Sequence, residues 1–530
     1  MSQRSEDKIL VSNKSALRSK YGKKGLAAIS KAVASLIAAD EKRGVTTRLV
    51  FLDLVADTKP FDVPRVTEAD DPQQAKAAID AVFTAFDPDY LVILGAPDVV
   101  PHQPLTNPLE DDDLDLPSDL PYACDVAFSA NPEDFSSPSR VVSRLPGVLG
   151  SRDAGYLVGL LETAANWKRR QRRSYESHFA VSAEVWKGST RLTVRKLFGT
   201  TSRLELSPSG GPSWTKAKLQ RRLHFLNLHG ALEDDNFYGE SPGRFPSAHQ
   251  AEQLVGRVRE GTVAVAECCY GAELYDPTEF ELHIGVANTY LGEGGYGFFG
   301  STNIAYGPVD GNGSADLICQ FFVRELLKGA SLGRAALAAR QTYVAQEGPL
   351  DPTDLKTLAQ FCLLGDASIH PVKLPAQSKS SPKAKSFGRR RARRRKMSRK
   401  AKRLAATTAS VGCKPKRGVA AKLRKVLNGL MKKHTLDFDE RIHRFAVEIP
   451  QQALSLSKSP SKSQAAKMAK VAAAKGSSYY LMYGQKPAGA KGDVAGARRR
   501  GAEAVRKRRP ILLALEKDGE IAAVKTLVPR

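Results

Sequence analysis

The sequence has no apolar run of 18 or more residues, so no segment reads as a membrane-spanning helix and no membrane partner is expected. Its opening, MSQRSEDKILVSNKSALRSKYG, lacks the apolar stretch of a secretory leader. Cysteine is scarce: six residues, at 124, 268, 269, 319, 362 and 413, with no framework spacing. Vicinal Cys268 and Cys269 are poorly placed to staple a fold. These features lead to the expectation of reduced thiols and a cytoplasmic location. No GxxxxGK[ST] phosphate loop and no CxxC pair occurs, so neither a P-loop nor a paired-cysteine motif is available. No repeat of solenoid period is found.

Acid is almost missing from the last part of the chain. Residues 376–530 hold 41 Lys+Arg against 9 Asp+Glu, a balance of +32. Residues 1–375 hold 40 against 47, a balance of −7. The 530 residues exceed one ordinary domain, which runs to roughly 100–200 residues. With 42% hydrophobic residues there is ample material for a core. The expected organisation is an α/β subdomain over 1–175, a second over 176–373, a basic low-complexity linker over 374–435, and a small basic α+β module over 436–530. The linker contains RRRARRRKMSRKAKR (389–403), with 11 basic residues in 15. Such a run repels itself. It reads either as a site for nucleic acid or another polyanion, bound through phosphates, or as a solvated or pseudo-substrate segment. Tyr479, Tyr480 and Tyr483 are the only aromatic cluster near it, so base stacking is not argued.

Within residues 1–373, short apolar strands alternate with amphipathic helices, the pattern of a largely parallel sheet. LVFLDLV (49–55) and YLVILGA (90–96) read as strands, preceded by helical patterns at 25–40 and 73–86. A strand near 140–145 and a helix near 151–172 follow. HFAVSAE (178–184), RLELS (203–207) and GYGFFGST (295–302) are further strands. One long helix is expected over 314–346, then a helix and final strand over 355–372. In the last module RFAVEIP (444–450) and SYYLMYG (478–484) read as strands, and 511–528 as a hairpin turning at Asp518-Gly519.

The two best buried strands carry the chemistry. LHFLNLHG (223–230) ends at His229-Gly230, and TVAVAECCYG (262–271) ends at Glu267-Cys268-Cys269-Tyr270-Gly271. Sites in open α/β sheets lie at the carboxyl ends of strands, so adjacent strands would bring an imidazole and a thiol to one edge. A thiol of ordinary pKa is mostly protonated at neutral pH, and a nearby His activates it. Gly230 leaves its N–H free to approach a developing oxyanion, alongside the N–H of the cysteine.

The order His-Gly, then acidic-x-Cys-x-Gly on the following strand, resembles the caspase-like clan. More of the chain resembles the gingipain-type cysteine peptidase family in particular. The likeness rests on YLVILGAPDVVPHQ (90–103), SDLPYACD (118–125), VVSRLPG (141–147), GFFGSTNIAYG (297–307), ELLKGASLGRAAL (325–337) and LKTLAQFCLLGDASIHP (355–371). It covers residues 8–373. It implies a mostly parallel sheet sandwiched by helices, with 176–373 as the catalytic subdomain. It also implies hydrolysis of a protein or peptide substrate through a Cys thioester, with His229 as acid/base and no cofactor in the chemistry. Acidic-x-Cys-x-Gly selects Cys269 as nucleophile; a Cys-x-x-Gly alignment selects Cys268. Glu184 is a weaker match to the family's glutamate near the histidine. Family members carry an acid that reads a basic substrate side chain. KGSTRLTVRK (187–196) has none, so cleavage after Arg or Lys is not expected. The rival reading is an inactive caspase-like scaffold that binds a polyanion through the basic region.

Blander roles are assigned elsewhere. Glu233-Asp234-Asp235 reads as a solvated loop, a cleft lining or a structural Ca²⁺ site. The run from Glu110 to Asp115 reads as a solvated loop or one folded back on the basic tail. DGNGSAD (310–316) resembles half a calcium loop but reads as a turn and helix start. Cys319 and Cys362 read as core, and His224 and His283 have no evident partner.

Overall fold

Ten segments, each too short for a helix, line up as one sheet, the eight inner ones largely buried and the two at its edges half-buried. Across it lie Thr47–Phe51, Lys8–Ser12, Tyr90–Leu94, Val142–Leu145, Phe361–Gly365, Gly297–Ser301, Val263–Ala266, Leu223–Asn227, Phe179–Ala183 and Leu204–Ser207. All neighbours are parallel except Phe361–Gly365 against Gly297–Ser301. The sheet is therefore two parallel halves running in opposite senses, joined at that one antiparallel seam. The computed structural model describes residues 6–374 (except 243, 280–281 and 347–348), 399–400, 402, 404, 408–434, 437–448, 474–485 and 497–530. Most of the basic run 389–403 lies outside the described residues, and with it the polyanion reading.

Strand interiors such as Leu91, Val92 and Ile93 are wholly buried. Each such side chain contributes about 1.5–3 kcal/mol of burial. Alternate residues serve opposite faces. Leu226 and Ala266 join the core shared with helix Gly155–Asn166 and helix Val286–Gly292, whereas Phe225 and Val265 join the core under helices Ser314–Leu327, Leu332–Gln346 and Pro352–Gln360. The expected sandwich of helices around a mostly parallel sheet is what is found.

Several helices start on chemistry visible in the sequence. Asp71 accepts from the N–H groups of Gln73 and Gln74, with Pro72 at the first helical position of Pro72–Phe86. The single helix expected over 314–346 is two, Ser314–Leu327 and Leu332–Gln346. Gly329 adopts φ +84° between them, a conformation that ends a helix and that glycine takes at least cost. The strand Lys8–Ser12 was not singled out in the sequence. It opens on a buried lysine, whose ammonium is satisfied by Asp40 and by Asp366 at 2.8 Å.

A second sheet joins the C-terminal strands to the body. Its order is Tyr306–Pro308, Glu520–Pro529, Ile511–Lys517, Ser478–Tyr483, His443–Glu448 and Ser410–Val411. The hairpin turns at Asp518 (φ +53°) and Gly519 (φ +84°), the left-handed pair that an Asp-Gly turn favours.

Candidate active site

Strands Leu223–Asn227 and Val263–Ala266 pair in parallel, from Leu223 opposite Val263 to Leu226 opposite Ala266. Both chains therefore leave the sheet at the same level. One continues into His229–Gly230, which pairs antiparallel with Asn236–Tyr238. The other continues through Glu267 to a turn at Tyr270, whose φ of +53° is sparsely populated for a bulky residue. Beyond the end of that strand at Ala266, the chain sends the vicinal thiols apart. Cys268 joins the core with Leu226 and Tyr290, and Cys269 joins Ala305 and Tyr306 on the opposite face. Gly230 lies directly against the carbonyl of Cys269, with no room there for a Cβ.

The His229 ring is held between Trp186 (centroids 4.1 Å apart) and Phe245 (5.3 Å). Its Nε2 lies 2.7 Å from Glu240 Oε2. A carboxylate only accepts, so this bond places the proton on Nε2 and leaves Nδ1, which has no partner, with its lone pair free. Burial lowers the pKa of His229, against the opposing pull of Glu240, while Arg508 and Arg530 lower it further. Glu184, by contrast, is exposed in the turn Glu184–Trp186. The carboxylate that reaches the imidazole is Glu240, which sequence reasoning missed because it arrives on a different loop.

Cys269 is wholly buried. Its Sγ accepts from the N–H of Ala305 at 3.3 Å and faces the Ala305 carbonyl oxygen at 3.4 Å. Burial pushes the thiol pKa up, and Arg508 pulls the other way. The Arg508 guanidinium sits 5.2 Å from the centre of the Tyr270 ring. Arg508 thus acts electrostatically on both His229 and Cys269, whereas it is not among the groups that shift Cys268.

The last residue of the sequence occupies this edge. The N–H of Cys269 donates to the backbone oxygen of Arg530 at 2.9 Å, and the N–H of Arg530 donates to Ala305 O at 2.8 Å. The Arg530 side chain is wholly buried. Its Nη2 donates to Asp316 Oδ1 and Oδ2 at 3.2 and 3.1 Å and to Pro308 O at 3.1 Å. The guanidinium lies over Trp186 at 4.5 Å, and a Cβ at Gly307 would collide with it. Glu267 is wholly buried beside this pair, and its pKa is driven well above the ordinary value by burial and by Asp316. Burial also raises the pKa of Asp316, against the pull of the Arg530 guanidinium that it faces. Asp316 belongs to the segment 310–316 that reads in sequence as a turn and helix start. It does sit in the first turn of Ser314–Leu327, and it also reaches back to the N–H of Gly313 at 3.3 Å.

The acidic run behind Tyr270 is a solvated loop only in part: Glu110, Asp112, Leu114 and Asp115 are exposed, whereas Asp111 and Asp113 turn inward. Lys356 is buried between Asp111 and Asp113, at 2.5 Å from each. Asp113 also accepts from Tyr270 Oη at 2.5 Å and from the N–H of Ile304 at 2.9 Å, so it fixes the turn that follows Cys269. Glu110 does meet the C-terminal strands, through His443 at 3.2 Å and Tyr483 Oη at 2.8 Å. The acids at 233–235 go separate ways. The N–H of Glu233 donates to Glu273, Asp234 accepts from Tyr238, and Asp235 accepts from the N–H of His283. Among the described residues no group of three or more His, Cys, Asp or Glu side chains is arranged to hold a metal ion. His224 has a partner after all: Tyr290 Oη stands between His224 Nδ1 (2.6 Å) and His249 Nε2 (2.8 Å).

No family model and no curated protein matches this chain. Among solved structures it is similar to one described as "Structure of Protease", at 12% identity and a TM-score of 0.42, over 99% of this chain and 97% of that one.

Proposed function

We propose that the chain is a cysteine peptidase that cleaves peptide bonds after arginine, with Cys269 as nucleophile and His229 as acid/base. The observation that carries this is Arg530. Its backbone oxygen accepts from the N–H of Cys269, and its side chain fills a buried slot that ends on Asp316. That is the posture of the residue on the acyl side of a scissile bond.

In the reaction, His229 takes the thiol proton of Cys269 as the sulfur adds to the carbonyl carbon and the π electrons move to oxygen. The N–H of Cys269 receives that oxyanion, with the N–H of Gly230 as its second donor. The C–N bond then breaks as His229 hands its proton to the departing amine. Water, deprotonated by His229, attacks the thioester and restores the thiol. Glu240 orients the imidazole and steadies its charged form. Arg508 favours the thiolate.

Asp316 supplies what residues 187–196 lack. A charge-assisted pair in a dry slot discriminates strongly, because a neutral side chain there would leave Asp316 unpaired. The test uses peptides of one sequence ending in Arg, Lys, Gln or Ala before a fluorogenic amine. The Arg peptide is expected to be cleaved at least about a hundredfold better than Gln or Ala. Cys269→Ala and His229→Ala should abolish turnover, while Cys268→Ala should retain it. Activity that followed Cys268, or that ignored the residue before the bond, would overturn this reading.

A further inference from the structure

We propose that segment 520–530 is a tethered occupant of this chain's own substrate cleft: Glu520–Pro529 and Arg530 hold the site shut until that strand is displaced. This rests on the peptidase reading above and adds its regulation.

Three contacts from one C-terminal segment converge on the site. The first is the strand itself. It pairs antiparallel with Tyr306–Pro308, Pro529 opposite Tyr306 and Leu527 opposite Pro308, and the N–H of Val309 continues the ladder to Thr526 O at 3.1 Å. Its other edge is paired along its length with Ile511–Lys517, so it is presented as a rigid sheet element. The second is Arg508, which lies over Tyr270 and reaches the Arg530 backbone oxygen at 3.4 Å. The third is helix Ala497–Arg506. Gly501 packs against Asp234 and Tyr238, and Val505 against Ala231 and Tyr238, on the hairpin that carries His229.

A peptide substrate and Arg530 cannot coexist here. The Cys269 N–H, the Ala305 carbonyl and the Asp316 carboxylate are each engaged by Arg530. The cavity that remains, about 310 Å³, is bounded by His229, Glu240 and Phe245 on one side and by Arg508, Val528 and Pro529 on the other. The wholly buried thiol, held between the N–H and C=O of Ala305, is that of a closed enzyme. A tethered ligand meets its site as an intramolecular event, so an outside substrate competes poorly unless the strand is first released.

The test compares the full chain with Arg530→Ala and with Leu527→Ala, which weakens the strand opposite Pro308. The readouts are the rate at which iodoacetamide alkylates Cys269, located by peptide mapping, and turnover of an Arg-aminocoumarin peptide. Arg530→Ala is expected to alkylate about tenfold faster or more, the shift produced by removing one strong contact from a two-state latch. Added Leu-Val-Pro-Arg acid should slow alkylation of that variant and leave the parent unchanged. Alkylation equal in all three chains, with unchanged circular dichroism, would overturn the latch. Faster alkylation without turnover in any chain would sustain the latch and sink the peptidase reading. Equal turnover by parent and variants would do the reverse.

Discussion

At the scale of single residues, the site depends on what surrounds an ordinary imidazole and an ordinary thiol. His229 is stacked between two aromatic rings and tied at Nε2 to Glu240. Burial lowers its pKa, and Glu240 is the group that opposes this most. Glu240→Gln removes that opposition, so the imidazolium that the proposed mechanism requires survives only to a lower pH. The alkaline limb of the kcat/KM profile should therefore move to lower pH, with kcat down about tenfold or more. An unshifted profile would make Glu240 a bystander. The placement of His229, Gly230 and Cys269 just beyond two paired parallel strands was legible in the sequence, because each follows an apolar run. Glu240, Asp316 and Arg530 were not legible. They are ordinary charged residues until the fold brings them in, the last from 214 positions beyond its partner.

At the scale of elements, the turn after Cys269 is held from behind. Lys356, on helix Pro352–Gln360, neutralises Asp111 and Asp113, and Asp113 receives the Tyr270 hydroxyl. Burial raises the pKa of Asp113, but Lys356 and these hydrogen bonds outweigh it and keep the group ionised. Lys356→Met would leave two buried carboxylates facing each other. Urea unfolding should show a loss of about 3–5 kcal/mol, with Asp111→Asn in the same background recovering part of it. The sequence showed six consecutive polar-rich positions and suggested solvent. Burial of charge by a lysine on a distant helix leaves no local pattern to read. Strand and helix types fared better, since apolar runs and periodicity are local. The break at Gly329 is a case where a glycine inside a helical pattern meant a stop.

At the scale of the whole molecule, a buried histidine pair sets a pH dependence of stability. Tyr290 joins His224 and His249 in the core, and burial lowers both imidazole pKa values from 6.5 to about 3. The unfolded chain binds these two protons near 6.5 and the folded chain near 3. Stability is therefore complete above about pH 6.5 and falls as pH drops towards 3. The melting temperature should begin to decline below about pH 6.5, before the carboxylates titrate, and His249→Gln should flatten that decline. A flat profile from pH 7 to 5 would mean that these histidines are accessible to protons without unfolding. The overall α/β class was evident from alternating strands and helices. The sharing of one sheet between the body and the C-terminal strands was not, because nothing in YGP (306–308) marks it as an edge.

That short edge has a cost once it is vacated. Tyr306–Pro308 ends its sheet and, among the described residues, has Glu520–Pro529 as its one neighbouring strand. An opened molecule would show solvent a row of unpaired backbone groups beside an arginine-shaped slot, and such rows recruit whatever extended chain is at hand. Two opened copies could each offer the other what they have lost. Activation and self-association would then be one event seen at two concentrations.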